Sequence, residues 1–221
     1  MSSAGEDERE FGARKRGRPP GQRSAETRDR ILRAARARFS QSGYARTSLA
    51  DIAREAGITP RAIYHYVESK PQLFRRAADA AYERFADAVS ERVLGRADSR
   101  SRLHGLADVF RDLYREDPTI VAMLSQTVTE VYRNPELDRS MLMPEGYVPL
   151  NRVLVDMAVA DGDLAEGVDP AGAAAMIEVL GSGLTLLASK EREHEYMAML
   201  DVLERLLDGT LFVDRSEATG T

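Results

Sequence analysis

Apolar residues recur at intervals of three and four along most of this 221-residue chain, the spacing of helices with one buried face. After residue 94 no stretch alternates apolar and polar positions as a half-buried strand would. Ile31, Leu32, Ala35 and Phe39 predict a first helix over 28–42, ended by Gly43. Arg28, Arg30, Arg33, Arg36 and Arg38 fill much of its remaining surface and are expected mostly in solvent, one or two of them within reach of phosphate. Leu49, Ile52, Ala53 and Ala56 predict a second, shorter helix. Ser48 and Asp51 have capping-box spacing at its start. Gly57 stops it, because glycine takes a left-handed backbone without steric cost. Ile58 plugs the corner, Thr59 caps a short third helix, and Pro60 suits its first turn, where no backbone N–H is needed. Ser69, three residues before Gln72, marks the next start. Leu73, Phe74, Ala77, Ala78, Ala81, Phe85, Ala88 and Val89 then carry one long helix over 71–93.

Beyond a polar break from Gly95 to Ser101, helices are expected over 101–115, 118–132, 135–141, 145–160, 170–188 and 191–208. Asp117-Pro118, Asn134-Pro135 and Asp169-Pro170 each read as a cap followed by a first-turn proline. The expected fold is all-α: a three-helix N-terminal unit joined by a long helix to a helical C-terminal body, about nine helices with one further short piece.

Thr47 to Lys70 has the helix-turn-helix layout, in which the second helix enters the DNA major groove. The stretch resembles the DNA-binding domain of TetR-type transcriptional regulators. The resemblance rests on Thr47, Ile52, Ala53, Ala56-Gly57-Ile58, the run Ile63-Tyr64-His65-Tyr66-Val67, and Lys70. Ile31, Leu32, Ala34, Ala35, Phe39, Gly43 and Tyr44 upstream, with Leu73 and Phe74 downstream, extend it over residues 25–75. Farther on it is a matter of length and helix layout, and of the connection from Asp161 to Pro170 before the last two helices. It implies a helix-turn-helix DNA-binding domain over 24–72, a ligand-binding and dimerisation domain over 73–213, and a tail over 214–221. The implied partners are a double-stranded DNA operator, a second copy of the chain and an unidentified small-molecule effector.

Charge supports that division. The chain carries a net charge of −5, but residues 1–76 hold 17 Lys and Arg against 9 Asp and Glu, a net +8, and the remainder is −13. A basic front with an acidic back is the asymmetry of a DNA-binding unit attached to something else. Residues 1–23 read as a disordered basic arm, rich in charge, Gly, Pro and Ser. Within it Arg14, Lys15, Arg16 and Arg18 surround an Arg-Gly-Arg-Pro core that resembles an AT-hook. Gly and Pro keep such a segment narrow, and its arginines suit an A·T-rich minor groove; the alternative is a solvated basic tail attracted only to phosphate.

In the motif, phosphate contacts position a protein and base contacts specify its site. Thr47 is expected to offer its hydroxyl and backbone N–H to phosphate, and Lys70 a point charge. The resemblance assigns Tyr64 to phosphate and His65 and Tyr66 to backbone or bases, although both tyrosines have a core alternative. Arg61 is the candidate base reader, because a guanidinium bonds O6 and N7 of guanine together; a solvated surface residue is its alternative. Thr59 and Pro60 lie at the same edge.

The last two helices carry apolar stripes. Ala173, Ile177, Leu180, Leu184 and Leu187 on one, and Tyr196, Met199, Leu203 and Leu206 on the other, suit a dimer seam; packing inward as core is the alternative. Gly181, Ser182 and Gly183 allow close backbone approach. Phe110, Tyr114, Met123, Met141, Met143 and Tyr147 sit on segments that surround the effector cavity in the resembled family, where soft side chains adapt to varied ligands; ordinary core is again the alternative.

The chain has no cysteine, which excludes disulfides and thiolate metal sites. His65, His104 and His194 are too scattered for a metal centre, and no cofactor or catalytic constellation is indicated. No apolar run approaches the roughly 18 residues of a membrane span. The N-terminus lacks the apolar region of a signal peptide, so a cytoplasmic protein is expected. The expected function is that of a dimeric, ligand-responsive repressor, with a ligand-independent activator or architectural DNA-binding protein as the rival.

Overall fold

The computed structural model describes residues 20–141, 148–188 and 192–212, and among these all regular structure is helical. The order is α1 (Pro20–Arg46), α2 (Leu49–Glu55), a single 3-10 turn (Ala62–His65), α3 (Lys70–Arg92), α4 (Ser99–Glu116), α5 (Pro118–Arg133), a second 3-10 turn (Arg139–Met141), α6 (Leu150–Asp161), α7 (Pro170–Leu186) and α8 (Glu193–Leu207).

Most expected boundaries fall within a few residues of these, and the exceptions have local causes. α1 begins at Pro20 rather than 28, inside the span read as an arm. Its helical geometry breaks at Gly43, with φ 76° and ψ 164°, a region open essentially to glycine alone. The third helix of the motif is only the 3-10 turn. The stretch between Pro60 and Ser69 has room for only about two turns, and β-branched and aromatic residues that gain little from a longer helix fill much of it. The helix expected over 135–141 reduces to the second 3-10 turn, because Asn134 ends α5 instead of starting a new helix. Asp117 and Asp169 do cap α5 and α7 through their side chains, each with proline in the first turn.

Two buried clusters are continuous. In front, Phe39 stacks on Tyr44 at 5.8 Å and both meet the edge of Phe74, at 5.0 and 5.3 Å. Ile31, Ala35, Ile52, Ile63, Val67 and Leu73 close around this trio. Alanines at 77, 78 and 81 of α3 let the core run on between α1, α3 and α5. In the body, Phe85 lies 5.4 Å from Phe110, and Tyr114 stacks on Tyr196 at 4.2 Å. α5 is the shared element: it packs on α1 and α3 towards the front and on α4 and α7 towards the back.

Candidate nucleic-acid interface

α2 starts as its sequence dictates. Ser48 Oγ accepts from the Asp51 N–H at 3.1 Å, and the Asp51 carboxylate accepts from the Ser48 N–H at 3.1 Å and from its hydroxyl at 2.6 Å. These hydrogen bonds hold the Asp51 carboxyl below its ordinary range. Gly57 follows the helix with φ 68° and turns the chain. Thr59 Oγ1 accepts from the Ala62 N–H at 3.2 Å and opens the recognition turn.

Ile63 and Val67 anchor that turn in the core. Above them Thr59, Pro60, Arg61, Tyr64 and His65 are exposed, and Tyr64 keeps 63% of its surface in solvent although it is a large aromatic. In 3-10 geometry residues three apart eclipse, so Arg61 and Tyr64 share one outward edge. A guanidinium beside an exposed phenol offers both readout and stacking or phosphate contact. Tyr66 is half-buried, and its carbonyl accepts from Arg76 at 2.9 Å.

Thr47 is placed differently from expectation. Thr47 is only 2% exposed. Its hydroxyl lies 2.8 Å from the Gly43 carbonyl and 3.2 Å from that of Arg38, and its N–H donates to the Tyr44 carbonyl at 3.2 Å. Both groups expected at phosphate are therefore engaged inside the domain. Lys70 Nζ donates to the Tyr44 carbonyl at 3.2 Å and sits 4.1 Å above the Tyr44 ring. One of its three protons is committed, and the charge stays at the edge of the motif. The arm residues Arg14, Lys15, Arg16 and Arg18 lie outside the described residues.

A second set of contacts ties this unit to α5. Arg36, expected in solvent, is 8% exposed and pairs with Asp117 at 2.7 Å, with its Nε 3.3 Å from Thr119 Oγ1. At the other end of α5, Glu130 Oε1 accepts from the Tyr44 N–H at 3.0 Å. An open cleft of about 320 Å³ lies beside the first of these contacts, between Arg30 and Arg33 of α1, Glu55 and Ala56, and Asp117 and Thr119.

Comparison with known proteins matches this geometry. A family model described as bacterial regulatory proteins of the tetR family covers residues 31–77, the span from mid-α1 through the recognition turn into α3. Residues 31–77 thus match the DNA-binding domain of TetR-type regulators. Among curated relatives, the HTH-type transcriptional repressor NicS of Pseudomonas putida is 33% identical over 104 residues, 47% of this chain and 49% of that protein. The HTH-type transcriptional regulator TtgR, also of Pseudomonas putida, is 45% identical over 58 residues, 26% of this chain and 28% of its own. The matches thus span half or less of the relatives' length. Solved structures extend the likeness of fold. A TetR transcriptional regulator from Chloroflexus aurantiacus superposes with a TM-score of 0.63 at 26% identity, covering 85% of this chain and 95% of its own.

Beyond the matched span, the body residues singled out from sequence are largely internal. Phe110, Tyr114 and Met123 are buried core, and neither the cleft above nor a small apolar crevice between α4, α7 and α8 is lined by them. Met141 ends the second 3-10 turn, and Met143 and Tyr147 lie outside the described residues. Arg111 is held by Asp108, Asp201 and Glu204. The expected dimer stripe turns inward: Leu184 and Tyr196 are buried, and Ile177, Leu187, Met199 and Leu203 pack against the core. Ala173 and Leu180 are half-buried, and Leu206 alone of the set is exposed. The open apolar residues are their neighbours, Met176, Val179 and Leu186 on α7, and Val202 beside Leu206 on α8. A stripe reading cannot separate adjacent faces of a helix as apolar as α7, because both carry large aliphatic residues. Sequence reasoning also missed the α5 contacts, whose partners lie more than 80 residues apart and carry no local signal.

Proposed function

We propose that the protein is a dimeric transcriptional repressor that binds a near-palindromic operator and is released by a small-molecule effector. The single observation that carries this reading is the recognition turn, which displays Arg61, Tyr64 and His65 on a buried anchor of Ile63 and Val67. Arg61 reads a guanine, Tyr64 and His65 contact backbone or bases, and Lys70 supplies charge at the flank. The relatives named above support a regulator, and NicS supports repression.

Pairing runs through the outer faces of α7 and α8. Met176, Val179 and Leu186 there are exposed apolar side chains at helical spacing, and Gly183 on the same face has nothing within 4 Å of where a Cβ would stand. Among the described residues no neighbour requires glycine at this position, whereas an approaching helix would use the space. A two-fold pair sets its recognition turns about one DNA turn apart. The basic arm with Arg14, Lys15, Arg16 and Arg18 enters the flanking minor groove. The effector acts by population shift: it favours the state whose half-site spacing no longer fits, by as much as its affinities for the two states differ.

Selection from randomised duplex DNA tests the reading. It should return a two-fold motif with half-sites about 10 base pairs apart and A·T-rich flanks. Removing residues 1–18 should then weaken binding and flatten its salt dependence. Protection without sequence preference would refute the operator reading and support an architectural protein.

A further inference from the structure

We propose that Glu130 is the positioning residue through which the helical body sets the geometry of the DNA reader. The inference rests on the DNA-binding reading above. Glu130 is 7% exposed and stands on the last turns of α5, yet its carboxylate serves a backbone group 86 residues away. Oε1 accepts from the Tyr44 N–H at 3.0 Å. Oε2 accepts from Asn134 Nδ2 at 2.7 Å, and the same amide donates to the Glu130 carbonyl at 2.9 Å, so the carboxylate is fixed in direction.

The group it holds is the pivot of the front domain. Tyr44 follows the break at Gly43 and precedes α2. Its carbonyl accepts from Lys70 Nζ and from the Thr47 N–H. Its ring stacks on Phe39, meets Phe74 edge-on and lies beneath Lys70. The start of α2 and the start of α3, which bracket the recognition turn, thus both refer to this one residue. The corner is also shaped around the carboxylate. A Cβ on Gly43 would lie 2.9 Å from Glu130 Oε1, a separation that real Cβ atoms do not show.

α5 also reaches the body's interior. Met123, Thr127 and Val131 on it are buried, and its start is pinned to α1 by the Arg36–Asp117 pair. A small shift or rotation of α5 therefore reaches the Tyr44 amide directly. A buried N–H deprived of its acceptor is costly, so the corner must either follow α5 or lose its rigidity. Either response changes how the exposed edge of Arg61 and Tyr64 meets DNA.

The test uses the full chain and the duplex that the wild type itself selects. Affinity, salt slope and amide exchange are measured for the wild type, Glu130→Ala and Glu130→Gln, well below the unfolding midpoint of each. Glu130→Ala should weaken binding about ten-fold and speed exchange at the Tyr44 amide. The salt slope should stay the same, because no phosphate contact is lost. Glu130→Gln keeps the acceptor and should stay within about three-fold of wild type. Should Glu130→Ala not fold, Asn134→Ala frees the carboxylate without emptying the site, and a smaller loss in the same direction is expected. Wild-type affinity in a folded variant whose Tyr44 amide exchanges faster would overturn the proposal alone. A wild type that selects no site would overturn the DNA-binding reading and this proposal with it.

Discussion

The reader and the body are both helical, but they hold their shape at different ranges. α2 has 7 residues and the recognition turn 4, whereas α4 and α5 have 18 and 16. Helices of the first size are not stable alone. They persist because a capping box, a threonine cap and two buried side chains fix them locally, and because α1 and α3 form a floor beneath them. The body instead joins residues far apart in sequence, as in the pairing of Arg111 with Asp201 and Glu204. The two ranges meet at the corner from Gly43 to Thr47. There the last turns of α5 supply the acceptor for a front-domain amide, while at the other end of α5 Arg36 of the front is buried against its cap. A reader too small to hold itself is open to control by the element that completes it.

The largest effect expected from breaking this arrangement is that of Gly43→Ala. A side chain there meets both an unfavourable φ and the Glu130 carboxylate, so about 3 kcal/mol of stability should be lost. Urea unfolding followed by near-ultraviolet and far-ultraviolet signals should show front and body weakened together. Next, Asp117→Ala leaves Arg36 without its ion partner and removes the cap of α5. We expect a loss of about 2 kcal/mol, read by the same method, with Asp117→Asn milder because an amide still caps. Ser48→Ala sharpens the contrast, since it touches the front alone. It should cost about 1 kcal/mol and raise amide exchange in α2 while leaving exchange in α4 to α8 unchanged.

The smallest effect is in pH. The hydrogen bonds from Ser48 depress the Asp51 carboxyl in the folded state. Its contribution is therefore fully present above the ordinary carboxylate range, near pH 4, and is lost as pH falls through the depressed folded value. An NMR titration of the Asp51 carboxyl should give a midpoint below that of a free aspartate, and Ser48→Ala should move it part of the way back, because the backbone N–H at position 48 still donates to it.

These contrasts also explain which parts of the molecule were legible in the sequence. Ser48 with Asp51, Gly57, and Thr59 with Pro60 act within a few residues, so spacing and residue chemistry sufficed to place the motif and its exposed edge. Thr47 and Lys70 were recognisable as motif residues, but their hydrogen bonds run to Gly43, Arg38 and Tyr44, which only the folded corner brings near. Asn134-Pro135 has the pattern of a helix start. It ends α5 instead, because its amide is taken by Glu130. Arg36 sits among other arginines on α1 and looks solvated until α5 covers it. On α7 an alanine- and leucine-rich sequence leaves the buried and open faces equally apolar, and packing against α5 and α6 decides between them.

The central claim, that sequence is read from the exposed edge of the recognition turn, is tested most directly by Arg61→Ala. Wild type and variant would be titrated against the selected operator and a panel of its single-base changes. The wild type should lose about 1–3 kcal/mol at one guanine per half-site. The variant should be indifferent at that base, still sensitive at the others, and unchanged in salt slope by more than about one unit. An Arg61→Ala protein that discriminates at every base as the wild type does would place the reader elsewhere and contradict the account.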